Sequence, residues 1–186
     1  MKPNSFTVIS LFKNFENIQM IDHKTLVLNH RKIQQKITRM AYEIYERNSS
    51  EDEIIFAGIS GMGKVLAELL AEKLKEISPL KVGSIEVVVD KMSIVQGKVT
   101  LSESIDMNNK CLILVDDVLN TGKTLAYALK PFLEIPIKKM ELAVLVNRSH
   151  KLFPVSPDYT GLELSTTLNE HISVNLSTDN YSVHLH

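Results

Sequence analysis

The sequence is poor in cysteine, in net charge and in long hydrophobic runs, and each shortage excludes a class of protein. Its 186 residues include a single cysteine, Cys111, so an internal disulfide and a cysteine-rich metal site are excluded. A formal net charge of -1 gives no overall positive field that would attract nucleic acid or membranes. No apolar run reaches the length of a membrane span, and the first residues (MKPNSFTVISLFKNFENI) make a poor signal peptide. We therefore expect a cytoplasmic protein without a membrane partner, in which Cys111 is a small buried residue and not a nucleophile.

The length of the chain fits one domain. A chain of 186 residues can bury a substantial core but is short for two domains. Hydrophobic residues make up 44% of it, which is ordinary for a globular protein. Residues 1–28 show no clear pattern. We therefore predict a single domain over residues 1–186, with a poorly defined N-terminal arm over residues 1–28.

The stretch Ile113–Leu125 (ILVDDVLNTGKTL) carries the most specific signal in the chain. An apolar run ending at Val115 predicts a buried parallel strand, and two carboxylates, Asp116 and Asp117, follow where we expect that strand to end. Residues 120–122 (Asn-Thr-Gly) predict a tight loop, and the following KTLAYALK returns to helical spacing. A strand, a small-residue loop and a helix N-terminus together form an anion site. Adjacent carboxylates would repel an anion, so they suit ribose hydroxyls or a metal; the alternative is a plain strand-to-helix turn with capping residues.

A second strand-loop-helix unit precedes this one. Glu53–Ser60 (EIIFAGIS) predicts a buried strand, a glycine-rich loop follows, and helical spacing then continues to Ser78-Pro79. The segment GISGMGKV fits the start of a nucleotide-triphosphate loop, but Val65 stands where that motif needs a hydroxyl for magnesium. Two such units predict an α/β fold, a mostly parallel central sheet flanked by helices, with ligand loops at the carboxyl edge of the sheet.

The remaining segments complete this α/β pattern. Asn29 is a predicted N-cap for a helix to about Arg47, whose polar face carries four cations. These cations are Arg31, Lys32, Lys36 and Arg39. Further strands are predicted over residues 84–89 and 140–146, and the polar stretch from Asp90 to Asn109 could be a lid. The rest of the chain, with short strand-like pieces, predicts a small C-terminal β-rich cap.

The stretch ILVDDVLNTGKTL resembles the phosphoribosyl-pyrophosphate (PRPP) signature of type I phosphoribosyltransferases. The resemblance implies that Asp116 and Asp117 hold the ribose hydroxyls and act as the catalytic pair. It also implies a loop that binds the 5-phosphate. The residues of this loop are Leu119, Asn120, Thr121, Gly122, Lys123 and Thr124.

The match extends to one subgroup of that family. VDDVLNTGKT, LAVLVNRSHKLFP, PDYTGLELSTT and ITRMAYEIYERN occur in the order found in the bifunctional pyrimidine-operon attenuator and uracil phosphoribosyltransferase family. This resemblance implies transfer of phosphoribose from PRPP to a nucleobase, uracil above all, with Mg²⁺ bound through PRPP and not by a protein metal site. It further implies a homodimer or higher homo-oligomer, with pyrophosphate-binding and base-binding residues. The pyrophosphate residues are Ser60, Gly61, Met62, Gly63 and Lys91, and the base residues are Arg148, Ser149 and His150.

The chain departs from this family at its pyrophosphate-binding cations. Met62 stands where an arginine is usual, and Lys91 replaces an arginine with a point charge that lacks the bidentate fork. Ser149 replaces a glycine, and the lid segment is short. From these departures we expect a slow enzyme, in which Met62→Arg raises turnover.

Two alternatives stay open. One is a regulator that senses PRPP or a nucleotide and binds RNA, with weak or lost catalysis, for which the four cations between Arg31 and Arg39 would be the basic face. The net charge of -1 argues against this alternative, and we expect only weak RNA binding. The other is an enzyme that accepts a different base.

Overall fold

A computed structural model describes residues 24–89, 99–102, 105–148, 150–165, 167, 170–177 and 180–186. Four of the sequence predictions fall wholly or mostly outside these residues. They are Lys91 in the pyrophosphate site, Ser149 in the base site, most of the predicted lid and most of the predicted N-terminal arm.

The described chain alternates strands and helices. The strands are β1 (Thr25–Asn29), β2 (Glu53–Ile59), β3 (Lys81–Val88), β4 (Thr100–Leu101), β5 (Cys111–Leu119), β6 (Lys139–Arg148), β7 (Tyr159–Leu164), β8 (Ile172–Asn175) and β9 (Ser182–Leu185). The helices are α1 (His30–Arg47), α2 (Met62–Ile77) and α3 (Lys123–Ala128), and a 3-10 turn spans Lys130–Phe132. None of these helices, within the part of the chain that is described, is long and apolar enough to cross a membrane.

The central sheet has six strands in the order β4-β3-β2-β5-β6-β7. All neighbouring pairs are parallel except β3 and β4, which are antiparallel at one edge. From β2 the chain continues outward to β3, whereas from β5 it continues in the opposite direction to β6 and β7. The order of the sheet therefore reverses between β2 and β5, and at such a point the carboxyl ends of the strands leave a crevice for a ligand. The predicted α/β class with a mostly parallel sheet is confirmed.

The two faces of this sheet are covered by different elements. On one face, α1 and α2 pack their apolar stripes against residues such as Phe56, Ile113 and Leu145. On the other face, Leu125 in α3 and Phe132 in the 3-10 turn pack against Leu112 and their neighbours. The sheet is thus buried on both sides, which explains why its strands read as nearly continuous apolar runs.

Helix α1 forms as its sequence predicts. The side chain of Asn29 accepts a hydrogen bond from the backbone N–H of Lys32 at 3.0 Å, which satisfies one of the donors left free at a helix start. The predicted apolar face is the buried one. Its buried residues are Ile33, Ile37, Met40, Ala41 and Ile44. Helix α3 ends at Ala128, two residues before the predicted end at Lys130, and Pro131 is accommodated in the 3-10 turn that follows.

A separate antiparallel sheet of three strands, in the order β1-β9-β8, forms the cap. Its first strand is Thr25–Asn29, which lies mostly within the predicted N-terminal arm and pairs with β9. Strand β7 was expected to belong to the cap, but it extends the central sheet beside β6. The local sequence of a short apolar strand does not show whether it joins the cap sheet or the edge of the central sheet, because a strand in either sheet has one buried face.

Cys111 lies at the amino end of β5, away from the crevice. Its side chain is fully buried, and its Sγ atom donates to Oδ1 of Asn48 at 3.2 Å. Burial and the neighbouring Glu141 carboxylate raise the pKa of the thiol to about 12. A protonated, buried thiol of this kind is not a nucleophile, as the sequence predicted.

Candidate active site

The predicted carboxylates lie inside strand β5 and not after it. Backbone pairing with β2 ends at Val115, whereas pairing with β6 continues from Asp116 to Leu119. The expectation that the strand ends before Asp116 is therefore wrong on the β6 side and correct on the β2 side. Asp116 begins the part of β5 whose β2 side is open to the crevice, which is where a ligand can approach.

One close backbone contact joins the two predicted ligand loops. Gly63, in the first turn of α2, has no side chain, and a Cβ atom added there would lie 3.0 Å from the carbonyl oxygen of Val115 and 3.1 Å from Oδ1 of Asp116. Only glycine allows the loop after β2 to approach β5 this closely without displacement. The predicted pyrophosphate loop and the predicted ribose carboxylates are thus parts of one site.

The carboxylates themselves are held by local contacts. Asp116 is 7% exposed, and its Oδ1 atom accepts the backbone N–H of Asp117 at 3.0 Å. This bond orients the first carboxylate, while Asp117 is more exposed. Two adjacent carboxylates, one largely buried and one more exposed, can bind two neighbouring hydroxyl groups.

The predicted phosphate loop closes around a small cavity. Residues 118–125 and Asp116 enclose about 50 Å³, a space suited to a group the size of phosphate and too small for a base. Gly122 has φ +81°, a left-handed conformation that favours glycine. The carbonyl oxygen of Thr121 accepts from the backbone N–H groups of Leu152 and Phe153 at 2.9 and 3.0 Å. Leu119, which also lines the cavity, is 1% exposed.

The predicted pyrophosphate loop contains a backbone conformation that requires glycine. Gly61 has φ +97° and ψ -135°, in a region that other residues rarely enter. Ser60 is anchored through its backbone N–H, which donates to the carbonyl oxygen of Val87 at 2.9 Å. Glycine-dependent loops of this kind at the start of a helix are typical of anion-binding sites.

Met62 has a contact that the sequence did not predict. Its Sδ atom accepts the backbone N–H of Leu176 at 3.3 Å, and Leu176 follows strand β8 of the cap. The residue in the usual place of an arginine therefore connects the first turn of α2 to the cap sheet.

The predicted base residues have different surroundings. The guanidinium of Arg148 is nearly buried and donates to the carbonyl oxygens of Thr167 and Glu170 at 3.1 and 2.9 Å. Arg148 thus holds the chain between β7 and β8. His150 follows β6 and is partly exposed. The structure therefore gives Arg148 a role in positioning the backbone, and leaves His150 at the carboxyl edge of the sheet.

Asn147, which the sequence reasoning did not select, is a buried polar residue one position before the end of β6. It is paired in register with Leu119 of β5 and Glu163 of β7, and it is 6% exposed. Its Nδ2 atom donates to Oε1 of Glu163 at 2.8 Å. The only sequence signal was an asparagine directly after the apolar run ending at Val146, which is a weak signal because asparagine commonly ends strands.

The site fits Mg²⁺ that arrives with a phosphorylated substrate. In the described part of the chain no three His, Cys, Asp or Glu side chains come together as a metal cluster. Asp116 and Asp117 offer carboxylate oxygens, the ligands that Mg²⁺ prefers, beside a phosphate-sized cavity. Two carboxylates do not fill an octahedral shell, so substrate oxygens and water would have to supply the remaining ligands.

Three features together define a type I phosphoribosyltransferase fold. They are the crevice between the ends of β2 and β5, the two loops beside it, and the order of the strands in the central sheet. A family model described as the phosphoribosyl transferase domain matches residues 23–179. The hypoxanthine phosphoribosyltransferase of Trypanosoma cruzi superposes with a TM-score of 0.70 over 81% of this chain and 84% of that one, at 16% identity. A hypoxanthine-guanine phosphoribosyltransferase of Bacillus anthracis gives a TM-score of 0.65 over 75% of this chain and 82% of that one, at 17% identity. At these identities the two structures support the fold alone.

Sequence relatives are closer. The bifunctional protein PyrR of Clostridium acetobutylicum is 35% identical over 161 residues, which cover 82% of this chain and 90% of that protein. The bifunctional protein PyrR of Streptococcus mutans is 38% identical over 143 residues, covering 75% of this chain and 81% of that protein. The chain belongs to the phosphoribosyl transferase domain family, and its predicted activity as a PRPP-dependent pentosyltransferase is confirmed at the level of class.

Proposed function

We propose that this chain transfers the 5-phosphoribosyl group from PRPP to uracil and releases pyrophosphate. The observation that carries this proposal is the close contact of Gly63 with Asp116, which brings a backbone anion loop and a carboxylate pair together at the reversal of the sheet. Uracil is supported by the resemblance of several segments to the uracil-using subgroup, and by the likeness to the PyrR proteins.

In this proposal the ribose is held from its 2- and 3-hydroxyls by Asp116 and Asp117. The 5-phosphate occupies the cavity formed by residues 118–125, and pyrophosphate lies against the loop Ser60–Gly63 with Lys91. Arg148, Ser149 and His150 border the base pocket, with Arg148 acting through the backbone that it holds.

The proposed reaction depends on how the protein positions its substrates and stabilises charge, more than on a nucleophile of the protein. Displacement at the ribose C1 atom develops positive charge on the sugar, and two carboxylates near the ring favour that charge. Asp116 is largely buried, where charges are screened less than in water, so its effect on the sugar is strengthened. Fixing the phosphate and the hydroxyls orients C1 toward the base.

Several finer features belong to the same proposal. Mg²⁺ bound to PRPP would supply charge neutralisation for the departing pyrophosphate. We place the protein in pyrimidine salvage, in the cytoplasm, as a homodimer or higher homo-oligomer. Light scattering of the purified chain measures the last of these directly, and a mass of one chain at micromolar concentration would contradict it.

Binding of PRPP tests the site. Replacing Asp116 and Asp117 together with asparagine keeps the shape of the carboxylates and removes their charge. Charge-assisted hydrogen bonds are worth about 1.5–3 kcal/mol, so the double variant should bind PRPP at least tenfold more weakly in calorimetry. Asp52→Asn, an exposed carboxylate before β2 at the opposite edge of the sheet, is the matched control. Equal affinity of the double variant and the wild type would refute the assignment.

A PRPP-dependent assay of pyrophosphate release tests the acceptor. Uracil should be used in preference to cytosine, hypoxanthine and guanine. If hypoxanthine or guanine is used in preference to uracil, the protein is still a phosphoribosyltransferase, but its acceptor base is an oxopurine.

RNA binding is the second candidate function, favoured by a groove with basic side chains. Val27, Leu162 and Leu164 form the apolar floor of a groove of about 530 Å³, and Lys32, Lys36 and Arg39 stand at its side. Two of the cations are already engaged: Lys36 donates to the carbonyl oxygen of Gly161 at 2.8 Å, and Arg39 pairs with Glu43. Burial and the neighbouring cations also lower the pKa of Lys36. Because these cations are already engaged, we expect RNA binding to be weak.

A gel-shift series at increasing salt tests this function. Each phosphate that the protein neutralises contributes about -0.7 to -0.9 to the log–log salt slope. Tight binding that uridine monophosphate strengthens at moderate salt would make the chain a regulator first and an enzyme second.

A further inference from the structure

A histidine closes the end of the cap sheet where the sheet passes into helix α1. Strand β1 runs directly into α1, and its last residue, Asn29, is paired with Ser182, the first residue of β9. The next residues on each side, His30 and Tyr181, continue this pairing, because the backbone N–H of Tyr181 donates to Nδ1 of His30 at 3.0 Å. Their ring centroids lie 4.6 Å apart. The imidazole therefore ties the start of β9 to the first turn of α1.

This hydrogen bond exists only while Nδ1 of His30 carries no proton. A backbone N–H can only donate, so the ring nitrogen must be the acceptor. A protonated imidazole has two N–H groups and no acceptor, so its N–H would face the N–H of Tyr181. Protonation of this one ring thus replaces an attraction with a repulsion.

The charged groups around this contact come from two helices. Arg31 and Lys32 follow the histidine in α1. Lys73 and Glu76 of α2 line a cavity together with Tyr181, and these two side chains form an ion pair with each other. Since the charges of that pair offset each other, the change of charge on acidification comes from the histidine.

Three further histidines lie on one face of the cap sheet. His171 and His186 exchange backbone hydrogen bonds at 3.0 and 2.9 Å, and their ring centroids lie 6.5 Å apart. His184 shares their face because side chains alternate along a strand, and its cross-strand partners are an uncharged serine and leucine. Burial, Lys24 and His186 lower the pKa of His184 from its usual value of 6.5. The stability that this gives is full above that pH and is lost as the pH falls below it.

We propose that the cap sheet is a pH-sensitive element: in mildly acidic solution His30 takes up a proton, the N–H of Tyr181 loses its acceptor, and the start of β9 detaches from α1. Repulsion among the charged histidines of the cap adds to this release. Leu176 follows β8 at the same end of the cap, and its backbone N–H donates to Sδ of Met62. Release of the cap therefore extends to the first turn of α2. This behaviour does not depend on which substrate the protein binds.

The variant His30→Asn separates the proton from the hydrogen bond. Oδ1 of an asparagine lies nearly where Nδ1 of a histidine does and accepts hydrogen bonds, but it does not titrate. The variant should therefore keep the N–H of Tyr181 bound at neutral and at acidic pH. His150→Asn, which removes a histidine outside the cap, is the matched control. His30→Leu removes the acceptor without adding a charge, so its cap should already be loosened at neutral pH.

NMR and amide hydrogen exchange between about pH 7.5 and about pH 5 test the proposal. In the wild type the amide resonance of Tyr181 should move together with the ring signals of His30. The exchange protection of the β9 amides, corrected for the intrinsic rate, should fall roughly five- to tenfold, as expected for the loss of one hydrogen bond. In His30→Asn the resonance should stay in place and most of the loss should disappear, whereas the control should behave as the wild type.

Two results would overturn the proposal. One is a wild-type Tyr181 resonance that does not titrate, or a loss of protection that is equally large in His30→Asn. The other is a resonance that titrates while the β9 amides stay protected, because the hydrogen bond would then break without releasing the cap.

Discussion

The contact of Gly63 with β5 can be tested by adding a single methyl group. In Gly63→Ala the new Cβ atom would lie 3.0 Å from the carbonyl oxygen of Val115 and 3.1 Å from both Cα and Oδ1 of Asp116. These distances are a few tenths of an ångström shorter than ordinary contacts. Because two of the three atoms that it meets are backbone atoms, α2 and β5 must separate to relieve the contact.

The effects on stability and on catalysis should differ. Alanine is favoured over glycine inside a helix by about 0.5–1 kcal/mol, while overpacking costs about 1–3 kcal/mol. These terms partly cancel, so the variant should lose at most about 2.5 kcal/mol of unfolding free energy. A displacement of about 1 Å in an active site can cost roughly a hundredfold in rate. A displacement of a few tenths of an ångström at Asp116 should therefore lower kcat/KM by roughly three- to tenfold.

Urea denaturation and steady-state kinetics with PRPP measure both effects. Gly83→Ala is the matched control, because its added methyl group would meet only side-chain atoms, Cδ1 of Ile105 at 3.3 Å and Cγ1 of Ile55 at 3.6 Å. The control should keep the kcat/KM of the wild type. A Gly63→Ala enzyme that is folded and fully active would refute the idea that this contact positions the carboxylate.

Two further predictions concern the loop before α2 and the buried thiol. Gly61→Ala should cost about 1–3 kcal/mol in urea denaturation through its backbone conformation alone, since φ is +97° and no atom lies within 4 Å of an added Cβ; unchanged stability would mean that the loop adopts another conformation. Above pH 9 the free energy of unfolding should fall as pH rises toward about 12, because the thiol of Cys111 ionises near 9 when unfolded and near 12 when folded. One such proton contributes up to about 1.4 kcal/mol per pH unit, and Cys111→Ala should flatten the decline measured by urea denaturation between pH 8 and pH 10.5.

The parts of the fold that could be predicted are those with a local physical cause. The buried face and the Asn29 cap of α1 follow from helical periodicity and from one side-chain acceptor. The strand-loop-helix units follow from apolar runs bounded by glycine and by a hydroxyl residue. The carboxylates and the phosphate loop came from a motif whose residues are contiguous, so their placement in one unit required no knowledge of distant contacts.

The parts that could not be predicted depend on contacts between distant segments. The end of β5 depends on how far β2 and β6 each extend beside it. The sequence of β5 carries no information about the lengths of these two neighbours. Strand β1 pairs with the end of the chain, so residues 25–29 show no pattern until that partner is known. Arg148 resembles a pocket residue by position, yet its Nη2 atom donates to the carbonyl oxygens of residues 167 and 170. Only the unpaired oxygen of Asn147, visible in three dimensions, distinguishes that residue from an ordinary strand end.

Met62 stands where the family usually has an arginine, so this chain lacks a cation there and has a contact with the cap sheet instead. From the resemblance alone, Met62→Arg should restore a cation and raise turnover. The structure changes this expectation, because the Sδ atom accepts the backbone N–H of Leu176, and an arginine side chain only donates hydrogen bonds. The arginine would leave that N–H, next to a side chain that is 3% exposed, without its partner at a cost of about 1 kcal/mol or more.

We therefore expect Met62→Arg to lower stability in urea denaturation and to leave turnover unchanged or reduced, because the cap sheet is detached from the first turn of α2. Met62→Leu is the matched control: it keeps an apolar side chain of similar size and loses only the acceptor, so it separates packing from hydrogen bonding. A tenfold rise in the turnover of Met62→Arg, with stability preserved, would show that the missing cation limits the enzyme and that the contact with Leu176 is dispensable. A fall in both variants would show that attachment of the cap is what the methionine provides.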